Sequence, residues 1–334
     1  PADEEPLADP KEYWSYQPFV RPQVSHGAED SWSYNSVDRF IRQKHLELKL
    51  QPVGDASPAV LLRRVFLDLI GLPPTREELH AFLADPSEEN YAATVDGLLS
   101  RPQYGERWGR HWMDVWRYSD WYGRRASNEM RYSQRHIWKW RNWIIESLNE
   151  DKGYDQMVRE MLAADEIAPT DTNTLRATGF LGRNWYKFDR NVWLFETVEQ
   201  TSQAFLGLTL RCCRCHDHKY DPISQLDYYR FRAFFEPHDV RTDPLSAGSG
   251  VIKDQTLGEF PVDGLSRIYD KTIDATTWLF ERGNDRSPDK SQPISPAVPE
   301  SLGGELREIR PVRLPAVAWY PALQSGYIQS LIDV

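Results

Sequence analysis

Trp108, Trp112 and Trp116 recur every four residues, the spacing of one helical face. A stripe of indoles at that period commits the segment to helix and calls for a thick aromatic layer to receive it. A second set, Trp138, Trp140 and Trp143, follows after a polar loop from Gly123 to Ser133. The 334-residue chain holds 13 Trp, so an aromatic-rich core is expected rather than one isolated cluster. The stripe itself has two readings, core or ligand platform, and the helical spacing favours core. Arg107, Arg110 and Arg117 flank it.

Elsewhere the pattern is also helical. Val37, Phe40, Ile41, Leu46 and Leu48 mark one amphipathic helix, and the run from Leu61 to Ile70 marks another, stopped by Gly71 and Pro73-Pro74. Thr75 and Glu78 fit a capping box at the start of the next. Further helices are expected over about Glu88 to Ser100, from Pro102, over Tyr154 to Ala163, over Asn191 to Phe205, and over Ser224 to Phe235. Residues 1–34 read as an extended segment punctuated by Pro6, Pro10, Pro18 and Pro22, with Trp14, Tyr16, Phe19 and Trp32 available to pack. After Pro237 the chain turns rich in Pro and Gly, with β-favouring stretches such as Thr276-Thr277-Trp278-Leu279-Phe280. The expected fold class is mainly α: a helical domain over 35–237, then an irregular capping region over 238–334 containing short strands.

Charge narrows the function. A formal net charge of -10 argues against nucleic acid and against anionic membrane surfaces, both of which need a basic face. No apolar run approaches the roughly 20 residues of a membrane span. The chain opens Pro1-Ala2-Asp3-Glu4-Glu5, without initiator Met or apolar h-region, which reads as a processed or trimmed N-terminus.

The three cysteines, Cys212, Cys213 and Cys215, lie within four positions, which excludes a framework of disulfides spread along the chain. Cys212, Cys215 and His216 satisfy C-x-x-C-H, the attachment pattern of c-type haem. Two thiols three residues apart can both reach the vinyl groups, and the next residue presents its imidazole to the iron as axial ligand. A zinc site or a redox thiol pair stays open. Zinc wants four ligands, commonly from two separated pairs, and thioredoxin-like chemistry wants a βαβ setting that the pattern lacks. Cys213 reads as a small buried residue or a spare thiol.

Several segments resemble a known family: Gly71-Leu72-Pro73-Pro74-Thr75, Tyr104-Gly105-Glu106-Arg107-Trp108, His111-Trp112-Met113-Asp114, Arg117-Tyr118-Ser119-Asp120, Ala177-Thr178-Gly179-Phe180, Phe205 to Leu210, and Cys215-His216-Asp217-His218-Lys219-Tyr220-Asp221-Pro222-Ile223. From Trp14 to Asp243 the chain is similar to the planctomycete-type cytochrome domain DUF1549, also called PSCyt2. Cys213 departs from it, the family more often having Ala. The resemblance implies an exported bacterial protein of the Planctomycetes–Verrucomicrobia kind, beside a DUF1553-type domain and near polysaccharide-degrading systems.

Haem would add further requirements. Arg214, Lys219 and Arg117, with Arg107 and Arg110, are candidate cations for the propionates. A second axial ligand is sought among His111, His136, His238, Met113 and Met130. His111 is favoured for its place in the Trp-rich helix, although a structural histidine is an equal reading for each. His218, two residues past His216, suits a propionate contact or a structural hydrogen bond. Trp121, Tyr122 and Tyr132 are candidates for stacking on sugar rings. Asp114, Asp120 and Glu129 are conceivable as acid–base groups, with salt bridges to nearby arginines the favoured reading. Asp217 and Asp221 read as turn and cap residues.

Three functions follow: an electron-transfer cytochrome with one covalent haem, working with a redox partner protein outside the cytoplasm; a haem enzyme with an open distal site acting on carbohydrate or peroxide; or a carbohydrate-binding module with a structural haem.

Overall fold

The expected capping box forms: the Glu78 backbone N–H donates to Thr75 Oγ1 at 3.2 Å, and the Thr75 N–H donates to the Glu78 carboxylate at 2.7 Å. A second box starts a later helix, with Ser224 and Asp227 satisfying each other's backbone N–H groups at 2.9 and 3.1 Å. These local devices set helix starts before any tertiary contact is made.

A computed structural model describes residues 12, 14–23, 32–120, 124–126, 129–130, 136–186, 189–254, 258–272, 275–304, 312–313 and 323–324. Eleven helices are described: α1 Ser36–Glu47, α2 Pro58–Ile70, α3 Arg76–Ala84, α4 Glu88–Leu99, α5 Pro102–Val115, α6 Trp138–Asn149, α7 Tyr154–Ile167, α8 Thr172–Leu175, α9 Gly179–Gly182, α10 Arg190–Thr201 and α11 Gln225–Ala233. The strands are short and pair two by two, all antiparallel. They are β1 Arg124–Ala126 with β2 Glu129–Met130, β3 His238–Pro244 with β6 Gly264–Asp270, β4 Val251–Asp254 with β5 Gly258–Pro261, β7 Thr277–Phe280 with β8 Pro288–Ile294, and β9 Val312–Arg313 with β10 Leu323–Gln324. The fold is therefore mainly α, with most of its short strands in the C-terminal part. No helix among the described residues is long and apolar enough to cross a membrane.

The chain divides into two compact units. One comprises Pro1–Asp68 and Leu72–Val95; the other comprises Leu69–Gly71 and Asp96–Val334. In the first, Leu62, Phe66 and Phe82 are buried, Phe82 meets Tyr91 edge-on at 6.4 Å, and Trp32 packs against His45 at 5.4 Å. Trp14 and Phe19 stay exposed.

The second unit carries the aromatic core. Trp116, Trp140, Trp143, Trp193, Phe180, Tyr228, Tyr229 and Phe235 are all buried. The indole stripe is core at one end only: α5 stops at Val115, Trp116 caps it in full burial, Trp112 stacks on Trp116 at 5.0 Å, and Trp108 is at the edge of exposure. Helix α5 lies close on α6 because Gly105 has no side chain. A Cβ there would strike the Ile145 carbonyl, and its N–H is satisfied by Asn149 Oδ1 at 2.8 Å.

Candidate functional site

Cys212 and Cys213 lie on one 3₁₀ turn, Leu210–Arg214, which Cys215 caps, its N–H donating to the Cys212 carbonyl at 3.2 Å. That i to i+3 hydrogen bond brings the Cys215 backbone back beside Cys212. Cys213 is fully buried, its Sγ lies 3.7 Å from the Ile223 carbonyl, and burial, aided by neighbouring acidic groups, pushes its thiol up to about 12. The turn thus sorts the three: Cys213 is buried, Cys212 is exposed, and Cys215 is half-buried.

His216 follows, exposed, with Nδ1 2.7 Å from the Asp217 carbonyl. A carbonyl only accepts, so Nδ1 donates in this contact, and in the neutral ring the lone pair then falls to Nε2. A hydrogen bond from the far ring nitrogen to a backbone carbonyl is the usual way a metal-binding imidazole is oriented. The donor set is therefore one exposed thiol, one half-buried thiol and one exposed imidazole.

These donors do not converge. Among the described residues, the one set of three His, Cys, Asp or Glu whose ligand atoms lie within 4.8 Å of one another is Asp165, His238 and Asp270. A chelated zinc ion needs its ligands gathered within about 2.3 Å of one point. A macrocycle tethered at its rim and ligated at its centre does not ask its ligands to meet at one point. The donor set itself, two thiols three residues apart with an imidazole next, is of the kind that haem c attachment uses.

Contacts that sequence reasoning did not find hold the turn. Gln225 Nε2 donates to the carbonyls of Arg214 at 3.0 Å and Phe280 at 3.2 Å, tying the turn to β7. The Tyr229 hydroxyl donates to the same Arg214 carbonyl at 3.1 Å. Gly283 has φ +73° and stands so close that a Cβ on it would lie 2.6 Å from Cys215 Sγ. Beyond the motif, the Gln225 N–H donates to the Asp217 carboxylate at 2.7 Å, and His218 Nδ1 accepts from the Asp221 N–H at 2.8 Å. Asp217 and His218 are thus part of the loop's own hydrogen bonding. Upstream, an apolar cleft of about 370 Å³ is lined by Tyr154, Val158, Leu162, Phe205, Leu206 and Phe231. Phe205 and Leu206 belong to the π turn that leads toward the motif.

The remaining expected residues are dispersed. Arg214 is half-buried, its guanidinium 4.6 Å over the Phe195 ring and 3.8 Å from Glu199, so it faces inward rather than toward a surface ligand. Lys219 is exposed, 5.0 Å over Tyr220. Arg117 is exposed at the end of α5 with a left-handed backbone, and its N–H donates to the Asp114 carbonyl. His111 lies exposed on α5 against Trp108 at 5.5 Å. No described interaction of His111 or Arg117 reaches the cysteine turn. His136 is held by the Pro261 carbonyl at 3.1 Å, Met113 is buried, and His238 lies in the buried acidic cluster. The acid–base candidates are ion-paired: Asp114 with Arg110 at 2.7 Å, and Asp120 with Arg141 at 3.7 Å. Trp121, Tyr122 and Tyr132, and the side chains of Glu129 and Met130, lie outside the described residues.

The sequence profile of PSCyt2, described as a protein of unknown function (DUF1549), matches residues 36–240. The chain belongs to the DUF1549 family. No curated protein and no solved structure matches it. The cysteine turn and His216 fall inside the matched DUF1549 segment, as do Asp165 and His238, while Gly283 and Asp270 lie beyond it.

Proposed function

We propose that this DUF1549 protein is a c-type cytochrome with one haem bound covalently through Cys212 and Cys215, and that it transfers electrons outside the cytoplasm. The observation that carries the reading is the sorting at the turn: Cys212 exposed, Cys215 half-buried, Cys213 fully buried, and His216 exposed with Nδ1 on the Asp217 carbonyl. Bound haem would supply a one-electron Fe(III)/Fe(II) couple.

The residues of the chain do the rest. Cys212 and Cys215 would hold the haem through two thioethers, each S–H adding across one vinyl group. His216 would supply the imidazole ligand, and its Nδ1 contact with the Asp217 carbonyl would fix the ring and raise its basicity. Gln225 and Tyr229 hold the Arg214 carbonyl and would keep the turn in place beneath a bound group. The exposure of Cys212 and His216 leaves the attached edge near the surface, which suits exchange with a redox partner protein or an adjacent DUF1553-type domain. Export is supported by chemistry, because bacteria attach haem c outside the cytoplasm. Support for a link to polysaccharide metabolism comes from the family resemblance.

The test is a visible spectrum, oxidised and reduced, with a pyridine haemochrome assay on protein produced alongside haem-attachment machinery. A sharp reduced α-band at one haem per chain is expected. A low-spin haem indifferent to CO would mark a relay, and a high-spin haem that binds CO would mark the enzyme instead. Colourless protein from attachment-competent cells would refute the assignment.

A further inference from the structure

The geometry points to a second, buried site for a first-row divalent cation of the Zn²⁺ class, held by Asp165, His238 and Asp270. The three come from separate elements. Asp165 lies in α7 just past a kink at Ala163, where φ is -137°. His238 opens β3 and Asp270 closes β6, and the two are direct partners in that ladder. All three are buried, and one ligand atom from each lies within 4.8 Å of the other two.

The decisive feature is His238. Its ring is buried, yet neither nitrogen has a hydrogen-bond partner. Leaving two buried ring nitrogens unsatisfied costs free energy, so a native site of this kind calls for an occupant. Asp270 Oδ1 stands 3.6 Å from Nε2. That is longer than the roughly 2.7–3.2 Å of a hydrogen bond. It matches the roughly 3–4 Å between two ligands that each sit about 2.0–2.2 Å from one ion.

Charge agrees with this placement. Burial keeps His238 neutral, the form that can donate a lone pair, and burial also pushes the Asp165 carboxyl well above the usual range, with Asp270 and Glu166 adding to the effect. Two carboxylates facing each other in a dry pocket repel, and a dication removes that repulsion. Arg267, which pairs with Asp243 at 2.5 Å, offsets part of the effect at Asp165 without cancelling it, and Arg190 pairs with Glu236 at 2.9 Å. One imidazole with two carboxylates suits Zn²⁺, Mn²⁺ or Fe²⁺ over Cu⁺, which prefers thiolates, and over Ca²⁺, which prefers oxygen alone. Full burial makes the ion a clip joining α7 to the β3–β6 ladder. The haem reading is independent of it.

The test is metal content of the whole chain after refolding with Zn²⁺ and exhaustive dialysis, with haem iron counted separately by haemochrome. Wild-type protein is expected to keep one Zn²⁺ per chain. The Cys212→Ser/Cys215→Ser variant should keep it too, and Asp270→Asn should lose it. Should Asp270→Asn fail to fold, Co²⁺-loaded wild-type protein decides: ligand-field bands without a thiolate charge-transfer band support the site. No retained metal, metal that follows the cysteines, or a thiolate band would overturn the inference and leave a shared proton or a water between the carboxylates.

Discussion

Gly283→Ala is the sharpest test of how the C-terminal strands support the cysteine turn. The position has φ +73°, and a Cβ there would lie 2.6 Å from Cys215 Sγ, 3.2 Å from Arg214 Cγ and 3.2 Å from the Arg214 carbonyl. Left-handed backbone on a non-glycine residue costs about 1–2 kcal/mol. Forcing a methyl into occupied space costs about 1–3 kcal/mol more, because Arg214 and its carbonyl are pinned by Gln225, Tyr229 and Phe195. Together these make about 2–5 kcal/mol. Gly207→Ala is the control: φ is +66°, but nothing lies within 4 Å of a Cβ there, so only the backbone cost applies. Chemical denaturation of the two variants against wild type reads the difference. Gly283→Ala should lose at least about 1 kcal/mol more than Gly207→Ala, and it should attach haem less completely, since Cys215 is the atom displaced. Equal losses in both variants would refute the close approach of Gly283 to Cys215.

In haem-free native protein a soluble alkylating reagent should modify Cys212 and spare Cys213, whose burial pushes the thiol up to about 12, and denaturant should expose all three; mass mapping reads this out. Cys213→Ala should cost no more than about 1 kcal/mol and leave haem attachment intact. Trp116→Ala should destabilise by about 3–5 kcal/mol, read by denaturant titration, because the ring is fully buried at the end of α5. Glu236 is held below its usual pKa: burial alone would raise it, but Arg232 at 3.0 Å and Arg190 at 2.9 Å outweigh that. Its ionised form stabilises the fold above the unfolded carboxylate value of about 4.3, and this contribution disappears as pH falls through the lower folded value. Glu236→Gln should therefore flatten the loss of stability below about pH 4.3.

What the sequence made legible was local. The Thr75–Glu78 box, Pro102 at the start of α5 and Ser224 ahead of α11 are each specified within four residues, and the helices begin where those signals stand. The C-x-x-C-H spacing was equally readable, since the turn that presents Cys212 and Cys215 is itself local. The Trp108–Trp116 stripe was read correctly as helical but unevenly as core, because periodicity does not reveal that α5 ends at Val115. The supports of the site were hidden for a physical reason. Gln225, Phe280 and Gly283 meet the turn only through the packing of α11 and β7, which no short window encodes. His238 shows the same limit. As a residue type it was a candidate iron ligand, but its partner Asp270 is fixed by the β3–β6 register and Asp165 by a kink in α7.

The most direct test of the cytochrome assignment is intact mass with peptide mapping, on wild-type protein and on Cys212→Ala and Cys215→Ala, each produced with haem-attachment machinery. The account predicts one haem of added mass on the wild-type chain, located on the peptide carrying Cys212 and Cys215, with Cys213 free and attachment weakened in each single variant. Wild-type protein at apo mass with three free thiols would contradict it.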